Sequence, residues 1–244
     1  MGFPLSVYRR LPRGLPLSLG FSRYGLLFDG VGGYVDTLLD PSTELGQEIT
    51  VSAWVYPTAQ NNHRGIWGAH GITGTKGIHL QYSGGWAFGF GDGTDWHSVN
   101  IGDLTLNSWV HLVVVFKGGS GGYIKVYKNL VEVGSVAVTT NIVHEAAFWV
   151  GRAYNAADRY FSGIIDEVCV YNRILSAAEM RHNMVDYHNP VRDELVMWLP
   201  FEEGSGLTAY DGSGQGNDGS LLPAAGPPAW RRNAMWELRA GAGL

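Results

Sequence analysis

Three groups of residues in this chain carry side chains that could do chemistry. The first is a set of flat aromatics in a Gly-, His- and Asn-rich stretch between Asn61 and Asn100: Trp67, Trp86 and Trp96. Sugars bind by laying their C–H faces on such rings, with polar groups at the rim fixing orientation. Trp96 is flanked by Asp95 and His97, which can hydrogen-bond hydroxyls. The competing reading is that these rings cover their own loops. The second group is His63, His70, His79 and His97, whose spacing matches no zinc motif, so surface hydrogen bonding is expected of them. The third is acidic. Asp29 precedes the Gly30–Gly33 turn, whose carbonyls could point at a cation, and Asp211 to Asp218 lies in a Gly-Ser-Asn loop without EF-hand order. Asp29 could equally cap its own turn.

Catalytic patterns are missing. Hydrolysis of a glycosidic bond needs a carboxylate pair, and acyl transfer needs a nucleophile with its base. Glu202 and Glu203 are neighbours next to an extended segment, where adjacent side chains point to opposite faces. The sequence holds no H-E-x-x-H and no Walker-type glycine loop. Cys169, the one cysteine, sits in the apolar run Val168–Tyr171 and reads as a buried, inert thiol. The expectation is that the protein is not an enzyme.

The elements that must position these residues are strands. The chain has 244 residues, 45% of them apolar and only 16% charged, with 35 glycines. That is enough for one large core of strands joined by tight turns. Ile49–Tyr56 alternates, with Ile49, Val51, Ala53 and Val55 on one face. Gly77–Tyr82 and Trp86–Gly91 form a hairpin around Ser83-Gly84-Gly85. Trp109–Phe116 is apolar apart from His111, the pattern of a central strand covered on both faces. Leu26–Asp29, Tyr34–Thr37, Tyr123–Lys128, Val131–Val138, Phe148–Gly151 and Phe161–Tyr171 supply further strands. One helix is predicted near residues 176–187, opened by Ser176 with Glu179 as a capping box. The fold class is all-β: a two-sheet antiparallel sandwich with one short helix.

Charge is uneven. The net charge is −5, yet residues 1–28 carry Arg9, Arg10, Arg13 and Arg23 and no acid, and residues 227–244 carry +2. A nucleic-acid reader would put a basic stripe on its folded surface, so no nucleic-acid partner is expected. No run approaches the roughly 20 apolar residues of a membrane span. Pro4, Pro12 and Pro16 interrupt any signal-peptide core, so no signal peptide is recognised. Residues 1–24 read as a basic, Pro-rich arm, with Phe3 and Tyr8 as apolar anchors among Arg9, Arg10 and Arg13. Residues 223–244 read as a second basic arm. The arms are either solvated tails or straps that lie on acidic surfaces of neighbouring copies.

Four blocks in this sequence resemble a known family. Leu27-Phe28-Asp29-Gly30 followed by Tyr34-Val35, then Ile49 to Pro57 around Trp54, then Trp109-Val110-His111-Leu112 with Ile124 to Tyr127, then Gly163-Ile164-Ile165-Asp166-Glu167-Val168 through Tyr171-Asn172-Arg173 to Ser176 are similar, in this order, to the laminin-G-like, concanavalin A-like jelly rolls. The resemblance implies a jelly-roll sandwich over residues 25–222 that binds glycans or neighbouring proteins. It implies core positions for Trp54 and Trp109, and Trp149 is expected in the core as well. It also suggests a structural Ca²⁺ held by Asp29 and Asp166 with carbonyls of the Gly30–Gly33 turn. One departure stands out. A segment like Leu195–Leu221, with Trp198 to Gly206 and Tyr210 to Gly219, usually opens such domains, and here it comes last. The domain is therefore read as circularly permuted, with this segment returning to its own sandwich or completing a neighbouring copy.

The leading functional reading is a non-catalytic binding or structural module of an exposed surface, a particle-surface (virion or cell-envelope) protein contacting glycans or subunits of a homo-oligomer. A stand-alone soluble lectin is the alternative, and a glucanase-like glycoside hydrolase comes third.

Overall fold

The structure, a computed structural model, describes residues 24–232 apart from 62, 71–73, 146, 155–158 and 224–225. In chain order the strands are β1 (Tyr24–Asp29), β2 (Tyr34–Thr37), β3 (Glu48–Pro57), β4 (Gly65–Ala69), β5 (Lys76–Tyr82), β6 (Trp86–Asp92), β7 (Trp96–Asn100), β8 (Val110–Lys117), β9 (Gly122–Lys128), β10 (Val131–Val138), β11 (Trp149–Val150), β12 (Ser162–Tyr171), β13 (Leu195–Leu199), β14 (Thr208–Ala209), β15 (Gly219–Leu222) and β16 (Ala229–Arg232). A four-residue helix, α1 (Pro41–Glu44), precedes β3, and α2 (Ala177–Val185) follows β12.

Two antiparallel sheets form a sandwich. The first runs β10-β9-β8-β3-β12-β1-β16 with β13 also on β12, and the second runs β14-β15-β2-β11-β4-β5-β6-β7. The core lies between them, where the inward residues of alternating strands meet: Val51 and Val55 from β3, Ile165 and Val170 from β12, Ile78 and Leu80 from β5, Phe88 and Phe90 from β6. The expected all-β sandwich with a late helix is what the chain builds.

β8 is buried on both faces for a visible reason. Its inward side chains, such as Val114 and Phe116, join the main core. Val113 and Val115 point outward and are covered by a second layer that includes Leu175, Met180 and Trp198. α2 and the chain after it form that layer. Ser176 caps α2 by accepting from the Glu179 backbone N–H while the Glu179 carboxylate accepts from the Ser176 backbone, so both halves of the capping box are made. The chain beyond α2 is pinned by one network. Asn183 donates to the Tyr171 hydroxyl at 2.7 Å and accepts from the Val191 backbone N–H, and the Tyr171 hydroxyl donates to the Val191 carbonyl at 3.0 Å. Cys169 is buried in this layer, and burial pushes its thiol well above the ordinary range, so it is inert as a nucleophile.

The displaced C-terminal segment pairs within its own chain. β13 joins β12, with Leu199 opposite Val168, and β15 joins β2, with Leu221 opposite Val35. β1 and β13 share one side of β12: β1 pairs it up to Ile165, and β13 takes over from Val168. The sandwich also extends past residue 222. β16, expected to lie in a basic arm, pairs with β1 as an edge strand, and Trp230 packs edge-on to Phe201 and donates to the Gly206 carbonyl.

Candidate functional site

The outer face of the second sheet is paved with glycine and roofed with aromatics. Strand alternation sends Trp67 of β4 and Trp86, Phe88 and Phe90 of β6 into the core. The opposite face of these strands therefore carries Gly68, Gly89 and Gly91, with His79 and Gln81 on β5 between them. Glycine is required here by close approach. A Cβ at Gly68 would lie 1.7 Å from the Ala153 carbonyl oxygen, and one at Gly89 would lie 2.6 Å from Trp96 Nε1. The Ala153 backbone and the Trp96 indole thus rest directly on the sheet.

An aromatic terrace results. Trp96 stacks on His79 with ring centroids 4.6 Å apart and 27° between planes, and touches His70 at 4.8 Å. Tyr154 meets His70 at 5.2 Å, and the Arg159 guanidinium lies 4.6 Å over the Tyr154 ring. Trp96 and Tyr154 stay partly exposed. His79 is buried, and that burial, helped by His70 and Arg159, lowers its pKa to about 3, so the ring is neutral at ordinary pH. Two buried polar atoms on this face, His79 Nδ1 and Gln81 Oε1, have no hydrogen-bond partner. Such orphans are uncommon in folded proteins and point to a partner outside the chain, a water or a ligand.

The terrace continues toward β2 and β11. Trp149 Nε1 donates to Asp36 Oδ1 at 2.8 Å. The Arg152 guanidinium sits 4.7 Å over Tyr34, 5.2 Å over Trp149 and 5.4 Å over Tyr160, and its Nε donates to the Tyr154 carbonyl. Arg152 and Trp149 are buried here and brace the terrace from below, so the flat rings open to C–H contact are those of Trp96 and Tyr154, with the half-buried Arg159 beside them.

Of the residues picked out in the sequence, Trp96 is on this terrace. Trp67 and Trp86 are not: both are almost fully buried, because they occupy the inward positions of β4 and β6, and they belong to the core. Asp95 is exposed in the β6–β7 turn. His97 points to the other side of β7 from Trp96, stacks on Phe90 at 4.9 Å and contacts Asp92 Oδ2 at 2.8 Å, so it braces the hairpin. Trp149, expected in the core, is buried with 9% exposure, but it lies under Arg152 on the outer side of β11 rather than in the main cluster. Trp54 and Trp109 also lie outside the main core, in a small cluster with Tyr187 and Met184 over the first sheet. His70 and His79, read as surface residues, are the buried underside of the terrace.

The acidic candidates resolve differently. Asp29 Oδ1 accepts from the Val31 and Gly32 backbone N–H groups, capping its own turn. Asp166 is fully buried and accepts from the Glu167 N–H. Asp29 stands opposite Ser162 in the β1–β12 register, four residues from Asp166 or about 13 Å along the strand, so the two are not brought together around one cation. Asp211 spends its carboxylate on backbone N–H groups, accepting from Trp198 of β13 and from Ser213, Gly216 and Asn217 of its own loop. The arm residues Phe3, Tyr8, Arg9, Arg10 and Arg13 lie outside the described residues.

A separate recess of about 250 Å³ lies between the Asp103–Val110 loop and β9–β10, lined by Trp109, Lys128 and Asn129. Two of its polar side chains are already engaged: Lys128 donates to the carbonyls of Ile101 and Asp103, and Asn129 accepts from the His111 backbone. The aromatic terrace is the better ligand surface.

Comparison with known proteins fits this architecture. A family model, Laminin_G_3 of the concanavalin A-like lectin/glucanases superfamily, matches residues 29–181. Comparison with curated sequences finds no match. Among solved structures, a Bacteroides ovatus ATCC 8483 protein whose carbohydrate binding is inferred superposes with TM-score 0.63 at 14% identity over 87% of this chain. This chain spans 60% of that protein's length. Domain 4 of AbnA, a GH43 extracellular arabinanase of Geobacillus stearothermophilus, solved with arabinotriose, gives 0.52 at 21% identity over 64% of this chain and 74% of its own. A heptameric SAP-like pentraxin from Limulus polyphemus gives 0.51 at 15% identity, covering 71% and 86%. At these identities the likeness is one of fold.

Proposed function

This chain belongs to the Laminin_G_3 family of the concanavalin A-like lectins and glucanases, and we propose that it is a non-catalytic, lectin-like module that binds glycan on the outer face of its second sheet. The observation that carries this reading is the partly exposed Trp96 indole laid flat on a glycine-paved sheet over His79, with Tyr154 and Arg159 beside it. A ring fixed in this way costs a ligand little ordering entropy, and its flat face suits a pyranose or furanose. The AbnA domain solved with arabinotriose supports carbohydrate as the ligand class. The carboxylates beside the terrace are already engaged, Asp36 by Trp149 Nε1 and Glu145 by His70 Nδ1 at 3.7 Å, which favours binding over hydrolysis. Glycan-array screening of the purified protein, followed by titration of the best hit against wild type and Trp96→Ala, tests the proposal. Loss of binding in a folded variant supports it, and unchanged binding sinks it.

The finer reading is a subunit displayed on a particle or envelope surface. Its support is the charge of residues 1–28, +4 in a chain of net charge −5. Removing residues 1–23, which stops short of Tyr24 in β1, should lower the mass measured by light scattering while leaving the melting of the body unchanged, and salt should weaken assembly. A full-length monomer would end that reading.

A further inference from the structure

On the far side of the molecule from the aromatic terrace, the first sheet holds a second group of polar side chains that glycan binding does not use. β12 breaks its register with β3 between Asp166 and Cys169, at the place where its other neighbour changes from β1 to β13. Glu167 occupies this break with a left-handed φ of +52°, a conformation that few non-glycine residues adopt. Its side chain is only 3% exposed. One carboxylate oxygen, Oε2, accepts from Trp198 Nε1 at 2.7 Å. The other, Oε1, is buried and its one close polar neighbour is an imidazole nitrogen. It faces His188 Nδ1 at 2.9 Å, and one oxygen of Glu202 completes a group whose three ligand atoms lie within 4.8 Å of one another.

We propose that Glu167, His188 and Glu202 form a binding site for one divalent transition-metal ion of the zinc type. One imidazole with two carboxylates is a donor set for a borderline cation, whereas calcium prefers oxygen alone. A shared ion about 2.0–2.2 Å from each ligand needs donor atoms roughly 3–4 Å apart, which a small side-chain rotation of the half-buried Glu202 and His188 supplies. Glu167 is held on its other oxygen by Trp198, the kind of outer contact that orients a metal-binding carboxylate. His188 and Glu202 keep partial exposure, so an ion has a way in and a water can complete its shell.

The three residues come from three separated parts of the chain. Glu167 is on β12, His188 follows α2, and Glu202 follows β13. An ion here would tie the linker and the displaced C-terminal segment to the main sandwich, at the gap where β1 ends and β13 begins. The site is a staple for the permuted connection and is independent of any ligand on the terrace.

The test uses the full chain stripped with chelator and titrated with Co²⁺ and then Zn²⁺, read by visible absorption and by calorimetry. One equivalent of Co²⁺ should bind with ligand-field bands that Zn²⁺ abolishes. His188→Ala and Glu202→Gln, both at partly exposed positions, should each weaken binding by at least about 10-fold while leaving the far-UV circular dichroism unchanged. Glu167→Gln should do the same, and where it impairs folding the other two variants decide. Absence of stoichiometric binding by the wild-type chain overturns the proposal. So does binding that survives His188→Ala and Glu202→Gln, which would place the ion on other histidines. Ca²⁺ displacing Co²⁺ at equal concentration would overturn the assignment to the zinc class.

Discussion

The Trp96 indole lies almost parallel to the His79 imidazole, 4.6 Å from it, so the exposed ring of the terrace is carried by a buried and neutral one. Support and contact can therefore be separated by mutation. His79→Ala should weaken glycan affinity by loosening Trp96, and Trp96→Ala should weaken it further. Trp86→Ala, in the core, should leave no native protein to assay, or cost about 3–5 kcal/mol. Titration calorimetry and urea denaturation on the three variants check the order. Equal stability losses for Trp96→Ala and Trp86→Ala would contradict the assignment of faces.

The glycine floor makes a steric prediction. Gly68→Ala places a methyl group 1.7 Å from the Ala153 carbonyl oxygen, which is backbone and cannot swing aside. It should destabilise by about 1–3 kcal/mol, as overpacking does, and displace the Ala153–Tyr154 backbone from the terrace. Gly32→Ala meets nothing within 4 Å and should be close to neutral. Thermal melts of the pair give the comparison.

Stability should fall on acidification before carboxylates are fully protonated. Burial lowers His111 to about 3, and burial with His70 and Arg159 lowers His79 to about 3, against an ordinary 6.5. Above about 6.5 neither the folded nor the unfolded chain protonates these rings. Between 6.5 and 3 only the unfolded chain does, so each ring removes on the order of 1 kcal/mol per pH unit as the pH drops through that window. His111→Gln should flatten the dependence of Tm on pH between 6.5 and 4, measured by calorimetry. An unchanged slope would mean that His111 is protonated in the folded state.

Glu179 acts at the other end of that range. Hydrogen bonds from Arg173, then the Ser176 backbone, hold its carboxyl down to about 2. Its contribution is intact above the ordinary carboxylate value of 4.5 and is lost as the pH falls toward 2. At neutral pH, Ser176→Ala should cost about 0.5–2 kcal/mol by removing the cap of α2, seen as a shift of the denaturation midpoint.

Much of the sandwich could be read from residue order, because alternation in β3, the apolar run of β8 and the capping box of α2 are local signals. The faces of the tryptophans were harder. Trp86-Ala87-Phe88-Gly89-Phe90-Gly91 alternates large with small, and that pattern places Trp86 inward with Phe88 and Phe90. The segment is read as a strand, and carrying its alternation through to the two faces puts Trp86 in the core. Trp67 follows from its β4 register, which no single-strand pattern reveals, since all of Gly65–Ala69 is buried. The partners of Trp96 were out of reach for another reason. His70, His79 and Tyr154 converge on it through sheet pairing and a crossing loop, and the Glu167–His188–Glu202 group depends on the return of β13. Such contacts between distant segments leave no spacing to detect.

That return has a consequence for how the protein is made. β2 and β12 are synthesised before the strands that cover their edges, β15 and β13. At roughly 5–20 residues per second of translation, the nascent chain waits several seconds between the end of β12 and the end of β15. During that interval Val35 lacks its partner on β15 and Val168 its partner on β13, and the core lacks Met197, Phe201 and Leu221. A growing chain in this condition exposes apolar strand edges to its neighbours on the same message, which makes the last stage of synthesis the stage most dependent on chaperones and most prone to exchange of the C-terminal segment between copies.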